Sequence, residues 1–326
     1  MTGAPPRAGQ LARLQRILVL ALVLVSLAWL LAWWPHSKTV ALTGFVLIAL
    51  VHTSFLAIES AASWFVNRRG AVPPSAGSML KAWLIECTTT PRVFYWRQPF
   101  FSNAVPDHLP APGASTPRRG MVLVHGLVCN RAFWNPWLAR LRADGRAFVA
   151  VTLEPMVASI DAYADAVDRA VRQVTLATGQ PPLLVCHSMG GLVARAWLRR
   201  AGDAAAARVW RIVTIGSPHQ GTWLARFSPT VNGKQMRLDS DWLRTLRESE
   251  PPARDTLFTC WYSNCDNIVF PALVATLPGA DNRFLPGVPH VALGFVPQVM
   301  QHTFALLDAE TEGESPCGPI RASWTS

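Results

Sequence analysis

Apolar positions along the chain follow two different patterns. Near the N-terminus, ILVLALVLVSLAWLLAWW (17–34) runs for 18 residues without a charge, close to the roughly 20 residues that cross about 30 Å of hydrocarbon. Trp29, Trp33 and Trp34 gather towards its far end, where indoles favour a membrane interface. After a short Pro35-His36-Ser37-Lys38 connection, VALTGFVLIALVHTSFLAI (40–58) forms a second run of 19 residues whose one ionisable side chain is His52. The two runs predict a helical membrane hairpin, with His52 as a helix-pairing hydrogen-bonder rather than a functional group. A cleaved signal peptide is the alternative for the first run, since Arg7, Arg13 and Arg16 give it a basic leader. The length of the run, the lack of a clean small-x-small site and the second span directly after it favour retention.

From Met121 the pattern changes. Short β-type runs, MVLVHG, AFVAVTL, PLLVCHS, RIVTIGS and TLFTCWYS, alternate with helical stretches, which predicts βα units on a largely parallel sheet. The clearest helix spans about 158–178, with Ile160, Ala164, Val167, Val171 and Val174 on one face and Asp161, Asp165, Asp168, Arg169 and Arg172 elsewhere. The expected organisation is a membrane hairpin (1–69), a linker with a lead-in helix-strand unit (70–118), an α/β domain (119–310) and a C-terminal tail (311–326). Residues 220–255 break the rhythm, mixing Trp223, Phe227, Met236, Trp242 and Leu243, read as outward-facing, with charges. They form either a candidate lid or an ordinary peripheral helix pair. No internal repeat is present.

Composition sharpens this picture. Half of the 326 residues are hydrophobic and 15% are charged, which excludes a disordered chain and leaves ample material for a core. The net charge is +10, but residues 1–110 carry nine Lys or Arg against three Asp or Glu, a membrane-flank distribution rather than a nucleic-acid surface. Arg7, Arg13 and Arg16 precede the first span, Arg68 and Arg69 follow the second, and the connecting turn has Lys38. Both outer ends, and the globular part, are therefore expected in the cytoplasm. Six cysteines without paired C-x-x-C motifs suggest neither a disulfide scaffold nor structural zinc. Cys260 and Cys265 are close enough to bridge, and a cytoplasmic placement favours two free thiols.

Chemistry concentrates in four ordered segments. LLVCHSMGGLVARAWL places Ser188 between an apolar strand and a helix, with Gly190 and Gly191 leaving room around it. This resembles the nucleophile elbow of the α/β-hydrolase superfamily. Cys186 stands where the G-x-S-x-G pattern has its first glycine; a small side chain is tolerable there, and read alone the segment leaves room for the lesser alternative of a serine capping a helix. About 60 residues earlier, VLVHGLVCNRAFW ends a strand in His125-Gly126-Leu127, similar to the oxyanion loop of lipases and esterases, with His125 as loop architecture. RIVTIGSPHQGTWLA resembles the sixth-strand segment of bacterial triacylglycerol lipases, with Ser217, Pro218, His219 and Gly221 at the matching positions, and GKQMRLDSDWLRTL resembles the run into their lid. His219 reads as structural.

The resemblance implies an α/β-hydrolase fold behind two transmembrane helices and a Ser-acid-His order. Asp266, opening a turn after a strand, is the preferred acid over Asp281, Asp239, Asp241 and Asp255, and His290 the preferred base over His302, which falls in the helical run VPQVMQHTFALL. The implied oxyanion donors are the backbone N–H groups of Leu127 and Met189. The expected activity is cleavage of carboxylic esters, lipids included, by an acyl-enzyme route that needs no metal or organic cofactor. The expected partners are an ester or lipid substrate and a bacterial inner membrane, with no nucleic acid and the oligomeric state open. A catalytically silent binding module at the membrane is the alternative from another class, and an acyltransferase or thioesterase would use the same apparatus.

Overall fold

The computed structural model describes residues 9–110 and 118–308. Six parallel strands, β1 (Met121–Val124), β2 (Phe148–Val151), β3 (Leu183–His187), β4 (Arg211–Ile215), β5 (Phe258–Tyr262) and β6 (Asp281–Phe284), form one sheet in the order β2-β1-β3-β4-β5-β6. The five predicted runs are β1 to β5. Their near-continuous apolar character is that of strands covered on both faces. Successive side chains point to opposite faces. Val122, Val124, Leu184, Cys186 and Ile212 meet the helices Ala164–Thr178 and Met189–Ala201 on one side. Met121, Leu123, Val185, Val213 and Trp261 meet the helices Asn135–Ala143 and Pro297–Asp308 on the other.

The insertion packs more tightly than its sequence suggested. Met236 and Leu243, read as outward-facing, are buried against the helix Met189–Ala201, whereas Phe227 stays 69% exposed. Burial follows from the helix Asp241–Glu248, which turns Leu243 and Leu246 inwards while the Trp242 indole donates to Asp161 Oδ2 at 2.7 Å. Arg195 fixes the base of the insertion by two hydrogen bonds to Glu250, at 2.9 and 2.6 Å, within the core.

Ahead of the sheet, the chain is helical. α1 (Gln10–Trp33) is long and apolar enough to cross a membrane, with 6% of its most apolar window buried. The second predicted span is not one straight helix: α2 (Lys38–Ala49) and α3 (Val51–Asn67) meet at Leu50 with a bend of 53°. At the break the Leu50 carbonyl accepts from both the amide and the hydroxyl of Thr53. Beyond it, α3 has its polar face turned inwards. Ser60, Ser63 and Asn67 are buried, while Val51, Phe55, Ile58 and Phe65 are exposed. α4 (Ala76–Thr90) follows.

Among its described residues the lead-in unit contains no strand. The run PRVFYWR continues from α4 as a π-helical segment, Pro91–Arg97, because Pro91 has no N–H for the i−4 bond and the ladder widens around it. The predicted tail (311–326), the last two residues of the 119–310 unit, and Arg7 of the basic leader lie outside the described residues.

Candidate active site

The end of β3 and the start of the helix Met189–Ala201 meet at Ser188, which takes φ 54° and ψ −128°. A non-glycine residue at positive φ costs on the order of 1–3 kcal/mol and persists only where the surroundings enforce it. Here the Ser188 amide donates to the Ile215 carbonyl at 2.9 Å, tying the turn to β4. Gly126 faces it from the loop after β1: a Cβ at that position would lie 2.6 Å from Ser188 Cβ and 3.1 Å from Oγ. Gly126→Ala is expected to slow reaction of Ser188 with a fluorophosphonate about a hundredfold, the scale of a misplacement of roughly 1 Å. A fluorophosphonate labelling rate measured alongside an unchanged far-UV circular dichroism spectrum checks this.

Leu127 follows Gly126, and Met189 opens the helix, where the first N–H groups have no intrahelical partner. Among the described residues neither amide donates to a protein acceptor. The Met189 amide thus adjoins the serine with its hydrogen unspent at the positive end of a helix, and Leu127 follows the glycine that faces the serine.

Asp266 and His290 are brought together by the loops after β5 and β6. His290 Nδ1 lies 2.8 Å from Asp266 Oδ2, with both side chains buried. Asp266 Oδ1 accepts from the Ile268 and Val269 amides at 2.8 and 2.7 Å, which fixes the carboxylate. The pair reaches the serine turn through Gly216, which follows Ile215 at φ 56°: a Cβ there would lie 3.0 Å from Asp266 Oδ2 and 3.2 Å from His290 Nδ1. Burial pulls the His290 pKa down, but the charge and hydrogen bond of Asp266, with Glu86 and Glu59 behind, outweigh it and leave the ring above its ordinary value. Ser188 Oγ makes no hydrogen bond among the described residues; catalytic bonds of this kind commonly tighten when substrate binds.

The other candidates lie apart from this pair. His302 stands on the helix Pro297–Asp308 against Trp261, at 5.6 Å between ring centroids. His125 Nδ1 is 2.8 Å from the Gly126 carbonyl and Nε2 accepts from the Leu153 amide; burial pulls its pKa down to about 4. His219 is buried with Nε2 2.9 Å from Thr214 Oγ1. Cys186 is fully buried, and burial pushes its thiol up, so it is no nucleophile. Cys260 and Cys265 are free thiols in separate apolar clusters. Asp239 is at φ 54° and Asp241 heads a helix within the insertion, Asp255 pairs with Arg247, and Asp281 pairs with Arg283 on β6.

Several residues around the pair had no motif to announce them. The His187 ring is sandwiched between Phe133 and His290, at 4.3 and 4.7 Å between centroids. Its Nε2 donates to the His290 carbonyl at 3.2 Å, and burial together with the His290 charge keeps it neutral. Asn267 Oδ1 accepts from the His290 amide at 3.2 Å. Glu59, Ser63, Asn67 and Glu86 also reach the acid and histidine loops. One signal was legible: Glu59 and Glu86 are the sole acidic residues before Asp107.

The sheet order, the serine turn and the aspartate–histidine pair can be set beside known proteins. The mature lipase BlEst2 of Bacillus licheniformis has a similar structure, with a TM-score of 0.52 at 18% identity, covering 62% of this chain and 96% of that one. The propeptide form of the same lipase gives 0.51 at 18% identity, covering 62% of this chain and 52% of its own. At that identity the likeness is one of fold. No curated protein matches the sequence. The sequence model of the alpha/beta hydrolase family matches residues 121–312, from the first residue of β1 past the helix Pro297–Asp308. A parallel sheet with a serine turn after its third strand, read together with that match, makes this chain a member of the alpha/beta hydrolase family.

Proposed function

We propose that this chain is a membrane-anchored serine hydrolase that cleaves carboxylic esters through Ser188, His290 and Asp266. The observation that carries the reading is the buried 2.8 Å contact between His290 Nδ1 and Asp266 Oδ2 beside a serine held at positive φ. In the reaction, Ser188 Oγ attacks the ester carbonyl as its proton passes to His290 Nε2. Asp266 holds the ring in the tautomer with hydrogen on Nδ1 and stabilises the imidazolium. The Leu127 and Met189 amides take the oxyanion, each contributing on the order of 3 kcal/mol. His290 then gives its proton to the leaving alcohol, and water attacks the acyl-enzyme by the same path in reverse. The similar lipase from Bacillus licheniformis favours an ester or lipid substrate. A serine-directed fluorophosphonate tests the reading: labelling at Ser188 supports it, and failure to label folded protein returns the silent binding module.

Anchoring rests on α1 and on the outward apolar stripe of α3. In this reading α1 and the bent α2–α3 pair insert as the hairpin, the insertion at 220–255 acts as a lid, and both ends of the hairpin are cytoplasmic, with Arg13 and Arg16 in the first turns of α1, ahead of its uncharged run, and Arg68 and Arg69 after α3. A phosphatase or fluorescent-protein fusion after Arg69 is expected to report a cytoplasmic position in a bacterial inner membrane, and an extracytoplasmic signal overturns the orientation.

A further inference from the structure

Each of the three loops that form the site is held by a polar side chain from the helices ahead of the hydrolase family match, which begins at residue 121. Gln15 of α1 donates to the Val128 carbonyl in the oxyanion loop at 3.1 Å, and Gln98 accepts from the Asn130 amide at 2.7 Å. Ser63 of α3 donates to the carbonyl of Asp266 itself at 2.7 Å, and Asn67 accepts from the Ala272 amide at 2.8 Å. Glu59 accepts from Asn267 Nδ2 at 2.9 Å, and Asn267 in turn holds the His290 amide. Glu86 of α4, 1% exposed, accepts from the amides of Val291 and Ala292 at 2.7 and 3.2 Å, immediately after His290.

Resting on the serine-hydrolase reading above, we infer that the N-terminal helices complete the active site, with Glu86 and Ser63 as positioning residues that hold the His290 and Asp266 loops in register. An acidic side chain among apolar helices is costly to bury, yet the two acidic residues of the first 106 both point at these loops. An anchor joined to an independent enzyme requires no such contacts.

Charge supplies a readout that packing does not. His290 faces Asp266, Glu86 and Glu59, which favour the imidazolium, and His187, which opposes it. Burial pushes the Glu86 carboxyl up to about 7, with the Val291 and Ala292 amides and His290 pulling against it. The Glu86 carboxyl and the His290 ring are thus coupled through their charges. Glu86→Gln removes the charge and sets an amide N–H against a backbone N–H.

The test is the rate of fluorophosphonate labelling at Ser188 in the full chain in detergent, as a function of pH. Glu86→Gln is expected to lower the rate by about ten- to a hundredfold and to move the acidic limb down by about half a unit to one unit. Ser63→Ala is expected to lower the rate roughly fivefold, through loss of the buried hydrogen bonds of its hydroxyl to the Asp266 carbonyl and from Asn67 Nδ2, with the limb in place. Wild-type rates and profiles in both variants overturn the inference, as does a slowed Glu86→Gln with its limb unmoved. Should Glu86→Gln not fold, Ser63→Ala decides, and a wild-type rate there overturns it. An unlabelled Ser188 in the wild-type chain instead removes the hydrolase reading, and this inference with it.

Discussion

Ser188→Ala is expected to lower kcat for hydrolysis of a short-chain nitrophenyl ester by about 10^6 and to leave the fold intact. The size of the loss follows from the chemistry. Without the hydroxyl no acyl-enzyme forms, and His290 and Asp266 are left orienting a proton that no longer moves. In the proposed reaction the residual rate is expected from the Leu127 and Met189 amides and from substrate binding, which need no nucleophile. The fold is expected to survive because Ser188 is joined to its surroundings by its amide, donating to the Ile215 carbonyl, and its Oγ makes no hydrogen bond among the described residues. Lipid-ester profiling of the wild type against this variant, with matched thermal melts, gives the comparison and the acyl preference together. Turnover equal to wild type would remove Ser188 from the chemistry.

Asp266→Asn is the second large loss, about 10^4 in kcat. The carboxylate has two committed oxygens: Oδ1 accepts from the Ile268 and Val269 amides, and Oδ2 faces His290 Nδ1. An asparagine must keep its oxygen on the two amides, so its NH2 group meets Nδ1. That contact selects the tautomer with hydrogen on Nε2, where the proton of Ser188 has to arrive. The geometry is retained and the base is not. The same variant removes the largest influence holding the His290 pKa up, so whatever activity survives is expected to reach further into acid. In the wild type the sign is the reverse. Wild-type activity is expected to fall as the pH drops through the raised His290 pKa, because in the proposed reaction an imidazolium cannot accept the serine proton. A pH profile of kcat/KM for both proteins checks the direction.

Much of the scaffold could be read without coordinates. Five of the six described strands are those apolar runs, and the sixth, β6, opens at Asp281 within GADNRF. The long amphipathic helix also stood where its periodicity put it, except that its first turn, Ile160–Tyr163, is a 3-10 turn. Misreadings arose where local preference met a tertiary partner. The aromatic run after Pro91 has strand propensity, but it continues a helix that is already packed and buries Val93. Met236 and Leu243 lay among charges, and only the shape of the insertion turns them inwards. The second apolar run bends at Leu50, after which the polar side chains of α3 reach the acid loop.

The order of Ser188, Asp266 and His290, the strand before each and the glycine at 126 are local matters: backbone torsion and hydrophobic period write them into short windows of sequence. What tertiary structure alone decided is what surrounds them. Ser63 lies 203 positions from Asp266 and Glu86 lies 205 from Val291, and hydrogen bonds across such separations leave no periodic trace, because their partners are chosen by where whole helices pack. An acid in an apolar helix marks that a partner must exist, since burying an unpaired carboxylate is too costly; folding decides which partner it is.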